Sequence, residues 1–197
     1  MDRRDIAVFD FDGTLTRDDT FYTFARHALG LPRLIMRSLR AVPAVIAWKF
    51  GRLTSSEAKE KLYSALYKGL DRAAIVKASA TFSPRYKKEI LDRLIHSRDT
   101  GVEVWIVSAS LDLWMEEIAR QLGVKLLCTR TGTAPDGTLT GRFSTPNCRG
   151  DEKVTRLRAA IPDMANCRIT VYGNEFTPGG GDSPLASIAD EVVECEE

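Results

Sequence analysis

Apolar residues first run together at residues 6–9 (Ile-Ala-Val-Phe), with turn residues close behind. A short continuous apolar run bounded in this way predicts a strand buried on both faces of a parallel sheet. The signature recurs at residues 102–107 (VEVWIV), 125–131 and 168–172 (RITVY), with a last short run at Val192 and Val193. Between the first two runs the period turns helical. Residues 20–29 place Phe21, Phe24, Ala25 and Ala28 on one face. Residues 31–50 follow, with Pro43 expected to kink or divide the helix near Val42. Residues 54–66 predict a helix capped by Ser55 or Ser56, and residues 70–82 one capped by Asp71. Residues 86–98 turn Ile90, Leu91, Leu94 and Ile95 inward. Residues 113–122 form the helix behind the second strand, with Ser108, Ser110 or Asp112 available as its cap. Asp136-Gly137 between Thr-rich flanks predicts a hairpin. Residues 150–161 open another helix, and Ser183-Pro184 starts the last one with serine as cap. This order predicts an α/β fold: a Rossmann-like parallel sheet with flanking helices and an inserted helical block.

The carboxyl ends of parallel strands are where such folds bind ligands. The first strand delivers Asp10 and Asp12 there, then breaks at Gly13. Two close carboxylates repel unless a cation or a shared proton relieves them. Mg²⁺, a hard cation that prefers oxygen, is the chemical match; two solvated acids before a turn are the plain alternative. The second strand ends in Ser108-Ala109-Ser110, whose hydroxyls suit a phosphate. Lys153 lies in the first turn of a helix, where a cation opposes the dipole and an anionic partner would justify it.

The string D-F-D-G-T-L-T at residues 10–16 resembles the first motif of the haloacid-dehalogenase-like (HAD) phosphohydrolases. Ser108 matches the second motif, and G-D-E-K-V at 150–154 is similar to the third. The resemblance implies that Asp10 is the nucleophile that becomes an aspartyl phosphate. Asp12 is then the general acid/base, and its backbone carbonyl helps to hold Mg²⁺. Gly13, Ser108 and Lys153 bind the phosphoryl group. In the fourth motif, after the strand at 168–172, Asn174 stands where relatives commonly carry an acid, and Asp182 comes eight residues later. The implied metal set is Asp10, Asp12, Asn174 and Asp182, with Glu175 as a competitor for the last place. Gly-Asn here resembles a branch of subfamily IB. The implied domains are a catalytic core at residues 1–16 and 85–197 and a small helical cap at 17–84. The T-G-T-A-P-D-G-T-L-T-G-R-F stretch looks like the antiparallel excursion of phosphoserine phosphatase relatives.

Charge bears on the substrate. The whole chain of 197 residues is near neutral, at +1, and 28% charged, which gives no case for nucleic acid. Between Asp19 and Glu57, however, there is no acid and there are six cations. Arg33, Arg37 and Arg40 fall at i, i+4 and i+7, on one helical face. One reading is a basic amphipathic surface for anionic lipid headgroups; the other is a solvated helix whose arginines pair with acids elsewhere. Four cations within residues 31–50 argue against a transmembrane span. The basic stretch and the Gly51-Arg52-Leu53 behind it resemble phosphatidylglycerophosphatase C-like members, which implies a lipid phosphate. Asp19 stands where phosphoserine phosphatases place an acid that reads the substrate amine, which implies a small amino-phosphate instead. Asn174 motivates a third option, a degenerate member that only binds a phosphorylated ligand. The N-terminus has early acids and no long apolar core, so no signal peptide is expected. The cysteines at 128, 148, 167 and 195 form no CxxC and are expected to be reduced, in a cytoplasmic, at most membrane-peripheral, protein.

Overall fold

The computed structural model describes residues 3–195. Residues 1–2 and 196–197, the outermost positions of the expected core and the end of the acidic tail, lie outside them. Five parallel strands form the main sheet in the order β3-β2-β1-β6-β7. They are β1 (Arg4–Phe9), β2 (Glu103–Leu111), β3 (Lys125–Thr129), β6 (Cys167–Gly173) and β7 (Glu191–Glu194). β1 is central: Ile6 to Phe9 pair with Glu103 to Ile106 on one side and with Ile169 to Tyr172 on the other. The unbroken apolar run now has its reason. Ala7 and Phe9 enter a core cluster on one face, while Ile6 and Val8 enter a second cluster on the opposite face. A strand covered on both sides has no position for a polar side chain.

The first cluster is roofed by helices. They are α1 (Thr20–Leu29), α4 (Ser55–Tyr67), α5 (Arg72–Ser79), α6 (Lys88–Asp99) and α7 (Asp112–Leu122). Trp114 fills its centre against Phe21 and Phe24. The second cluster is closed by α8 (Asp151–Ala160) and a 3-10 turn at Ser183–Ile188. A two-stranded antiparallel hairpin, β4 (Thr131–Thr133) and β5 (Leu139–Phe143), stands apart from the sheet. It is tied to the loop between α4 and α5: Gly69 N–H donates to Leu139 O, and Leu139 N–H to Leu70 O, each at 2.8 Å.

Residues 31–50 divide near Val42, as expected, into two helices, α2 (Leu31–Ser38) and α3 (Val42–Lys49), separated by a 3-10 turn at Leu39–Ala41; other expectations need correction. Pro43 sits in the first turn of α3, where its missing N–H costs nothing. α4 is capped by Thr54, not by Ser55 or Ser56, because Thr54 and Glu57 make a reciprocal capping box. The second strand runs on to Leu111, so neither Ser108, Ser110 nor Asp112 caps α7. The strand from Lys125 ends at Thr129; Thr131 belongs to the hairpin. Ser183 starts a 3-10 turn and is not its cap; Asp182 precedes it with its carboxylate engaged elsewhere. Asp71 does cap α5, through the Ala73 and Ala74 N–H groups.

Candidate active site

β1 places Asp10 at its carboxyl end, 7% exposed. Phe11, Thr14 and Thr16 are held in a tight turn by N–H bonds to Phe11 O. Gly13 takes φ +79° in that turn. A Cβ there would lie 2.4 Å from Asn174 Nδ2, so the position requires glycine for conformation and for space.

The first turn of α8 aims Lys153 at the same point. Its ammonium is 2% exposed and donates to Asp10 Oδ1 at 2.5 Å and to Asp182 Oδ1 at 2.7 Å. A solvated surface lysine is thereby ruled out. Asp182 reaches this place through the loop after β6, and its other oxygen accepts the Asn174 and Glu175 N–H groups at 3.2 Å. Burial pushes the Asp10 carboxyl above the usual carboxylate range; Lys153 pulls it back, and Asp182 adds to the push. Burial would lower the Lys153 ammonium, but Asp10 and Asp182 outweigh it and hold it up. Both shifts describe one cluster with more buried carboxylate than ammonium.

Asp12 is set by a different group of side chains. Its Oδ1 accepts Thr20 N–H at 2.7 Å and Thr20 Oγ1–H at 2.6 Å. Its Oδ2 accepts a short bond from Ser110 Oγ. Trp114 Nε1–H donates to Thr20 Oγ1 at 3.1 Å, so the centre of the core steadies this acid. Ser108 Oγ accepts Ser110 N–H at 3.0 Å and stays 1% exposed.

Asp10, Asp12, Ser108, Lys153 and Asp182 line one pocket of about 190 Å³, and Asp19 is at its edge. Asp19 also caps α1 by accepting Phe21 N–H at 2.8 Å. Gly13 and Asn174 sit beside the pocket and meet through Thr14, whose hydroxyl donates to Asn174 Oδ1 and Asp10 Oδ2 at 3.1 and 3.3 Å. Glu175 is committed to Arg149 at 2.6 Å and to Gly181 N–H at 2.8 Å. Arg33, Arg37 and Arg40 are not part of this pocket; they line a separate cavity between α2 and α5.

Sequence reasoning passed over Lys59. It comes from α4, donates to Ala109 O at 3.0 Å, and enters the pocket opposite Asp12 and Asp19. Burial lowers its ammonium against the pull of Asp12, Asp19 and Asp10. Nothing in K-E-K at 59–61 distinguishes it from a solvated helix lysine. Ser110 and Thr20 were also missed as partners of Asp12; a hydroxyl run after the second strand was the only signal.

The residues suit a divalent hard cation in one respect. The available donors are all oxygen: Asp10 and Asp182 carboxylates, the Asn174 amide carbonyl, and main-chain carbonyls. Among the described residues no three His, Cys, Asp or Glu side chains are spaced to hold an ion alone. The surplus of buried negative charge around Lys153 favours a further cation.

Residues 7–176 match the family model described as haloacid dehalogenase-like hydrolase. The chain is 35% identical to protein CicA of Caulobacter vibrioides, across 94% of this chain and 83% of that one. A Bordetella pertussis Tohama I protein of unknown function shares the fold at TM-score 0.74 and 22% identity, covering 98% of this chain and 90% of that one. A phosphoserine phosphatase, solved as a phospho-aspartyl intermediate analogue, superposes at TM-score 0.65 and 20% identity, with 99% and 88% covered. At these identities the two structures speak for the fold alone.

Proposed function

The chain belongs to the haloacid dehalogenase-like hydrolases, and from that premise we propose that it is a Mg²⁺-dependent phosphomonoester hydrolase working through an aspartyl phosphate on Asp10. The observation that carries this is the buried Lys153 ammonium bridging Asp10 and Asp182 beside a separately oriented Asp12.

In this reading an Asp10 oxygen attacks phosphorus and the bond to the ester oxygen breaks. Asp12, held by Thr20 and Ser110, gives its proton to the departing alkoxide. It then takes a proton from water, which attacks the phosphoryl group and frees Asp10 and inorganic phosphate. Lys153 and the Ser108 hydroxyl stabilise charge on the phosphoryl oxygens. Asp10, the Asp12 carbonyl, Asn174 and Asp182 would hold Mg²⁺, whose chemistry there would be to supply positive charge to the phosphoryl group. Residues 17–84 serve as the cap, and the placement of the motifs supports subfamily IB.

For the substrate we favour a lipid phosphate of the phosphatidylglycerophosphate type. An apolar cavity of about 230 Å³ adjoins the catalytic pocket and shares Asp19, Ser55 and Lys59 with it. Asp19 in that position favours a small amino-phosphate as the second reading. The protein acts in the cytoplasm, at an anionic membrane surface for the lipid substrate; four free, buried cysteines support a reducing compartment. Among the described residues no helix is long and apolar enough to cross a membrane.

The test is hydrolysis of p-nitrophenyl phosphate with and without Mg²⁺, in wild type and Asp10→Asn. Turnover that requires Mg²⁺ and falls at least a thousandfold in the variant is expected, about 4 kcal/mol of barrier. Binding without turnover in the wild type would leave only the degenerate binder. A panel of lipid phosphates and amino-phosphates separates the two substrate readings.

A further inference from the structure

Two helices on the outside of this protein add only Leu34, partly buried, to its core. α2 and α3 bury none of their own residues, and α3 is apolar on every side except Lys49. Of the eleven large hydrophobic side chains exposed among the described residues, nine lie between Leu31 and Phe50. Phe50 is 78% exposed, Met36 67% and Leu39 66%. A helix that is hydrophobic all round is normally covered, and contiguous exposed apolar surface marks an interaction site. At eight residues each, α2 and α3 are far too short to span a bilayer.

The charge around this surface states what covers it. Arg33, Arg40, Lys49 and Arg52 border it, and none makes an ion pair among the described residues. Arg37 is different. Its guanidinium turns inward to Leu66 O at 3.0 Å and Lys68 O at 3.3 Å, closing the carboxyl end of α4. So the three arginines do not form a uniform outward stripe; Arg37 fastens the surface to the body and the others are left outside. A second copy meeting this face would set cations against cations. An anionic bilayer would accept the cations in its headgroups and the apolar side chains at the acyl boundary.

We propose that α2, the 3-10 turn and α3 seat this protein on an anionic lipid bilayer by apolar insertion as well as by charge. The apolar cavity described above then links bilayer to catalysis. Val45 and Trp48 belong to the exposed face and line it on one side; Asp19 and Lys59 line it on the other and belong to the catalytic pocket. An apolar-tailed phosphomonoester can pass from membrane to Asp10 by this route. The delivery step rests on the phosphatase reading; the docking step does not.

The full chain is sedimented with vesicles of phosphatidylcholine alone and of phosphatidylcholine with phosphatidylglycerol. Binding to the second and not to the first is expected. Leu39→Gln/Phe50→Gln should weaken it at least tenfold, and Arg33→Gln/Arg40→Gln about twenty-five-fold, near fivefold per cation. Both variants should hydrolyse p-nitrophenyl phosphate like the wild type, because these residues lie outside the catalytic pocket. No binding to anionic vesicles overturns the inference. Binding that the apolar variant leaves unchanged overturns insertion. A dimer in sedimentation velocity that Leu39→Gln/Phe50→Gln dissolves assigns the face to a second copy and also overturns it. Vesicle binding by a protein with no phosphatase activity would remove the proposed reaction and leave docking standing.

Discussion

At the residue scale, the two catalytic-pocket acids of D-F-D are handled in opposite ways. Asp10 is buried against an ammonium, whereas Asp12 is turned toward hydroxyls that donate to both of its oxygens. If Asp12 protonates the leaving group, its orientation matters most where that group is poor. Ser110→Ala should therefore lower kcat for alkyl phosphates roughly ten- to a hundredfold, with a smaller loss for p-nitrophenyl phosphate. Equal losses for both would mean that Ser110 acts on the phosphoryl group instead. Gly13 offers a cleaner test of geometry. Gly13→Ala meets a left-handed backbone, worth about 1–2 kcal/mol, and a clash with Asn174. The double variant Gly13→Ala/Asn174→Ala should recover the clash part and leave the backbone part, read by denaturant unfolding. No recovery would show that the backbone alone fixes glycine here.

At the element scale, one buried junction ties the helical segment to α7 and the hairpin. Asp112, 3% exposed in the first turn of α7, accepts from Thr131 N–H, from Thr131 Oγ1 at 2.7 Å and from Arg72 Nη2 at 2.8 Å. Arg72 also donates to Thr131 Oγ1 at 2.7 Å. α5, α7 and β4 thus share one ion-pair cluster, and this is why Asp112 does not serve as the helix cap its position invited. Asp112→Ala should cost about 3 kcal/mol, since it strands a largely covered guanidinium and two donors. Thr54→Ala, which removes one cap, should cost only about 1 kcal/mol. Urea denaturation of both ranks them, and a reversed order would show that the junction is solvated.

At the scale of the molecule, the sheet and the cluster at Asp10 were legible because both are written locally. A buried strand needs an unbroken apolar run, and Asp10 sits at a strand end and Lys153 at a helix start, while Asp182 is brought to them by the loop after β6. The helical segment was legible as helices but not as contacts: whether Arg37 faces lipid or the end of α4, and whether Lys59 is solvated or in the pocket, depends on how helices pack across tens of residues. Lys59 is one of the links between the helical segment and the sheet, from α4 to the carbonyl of Ala109 in β2. Burial lowers its ammonium, so the unfolded chain holds this proton more tightly than the folded one. The sign follows: charged Lys59 detracts from stability at neutral pH, and the penalty fades as pH rises toward the ordinary lysine value of 10.5. A group kept at such a cost fits a role in ligand binding. Lys59→Met should leave Tm unchanged or slightly raised at pH 7, with its advantage over the wild type shrinking as the buffer approaches pH 10. It should raise KM for substrates carrying a second anionic group at least tenfold, and change kcat for p-nitrophenyl phosphate little. A fall in Tm of several degrees with unaltered KM would make Lys59 a strut between α4 and β2, not a reader of substrate.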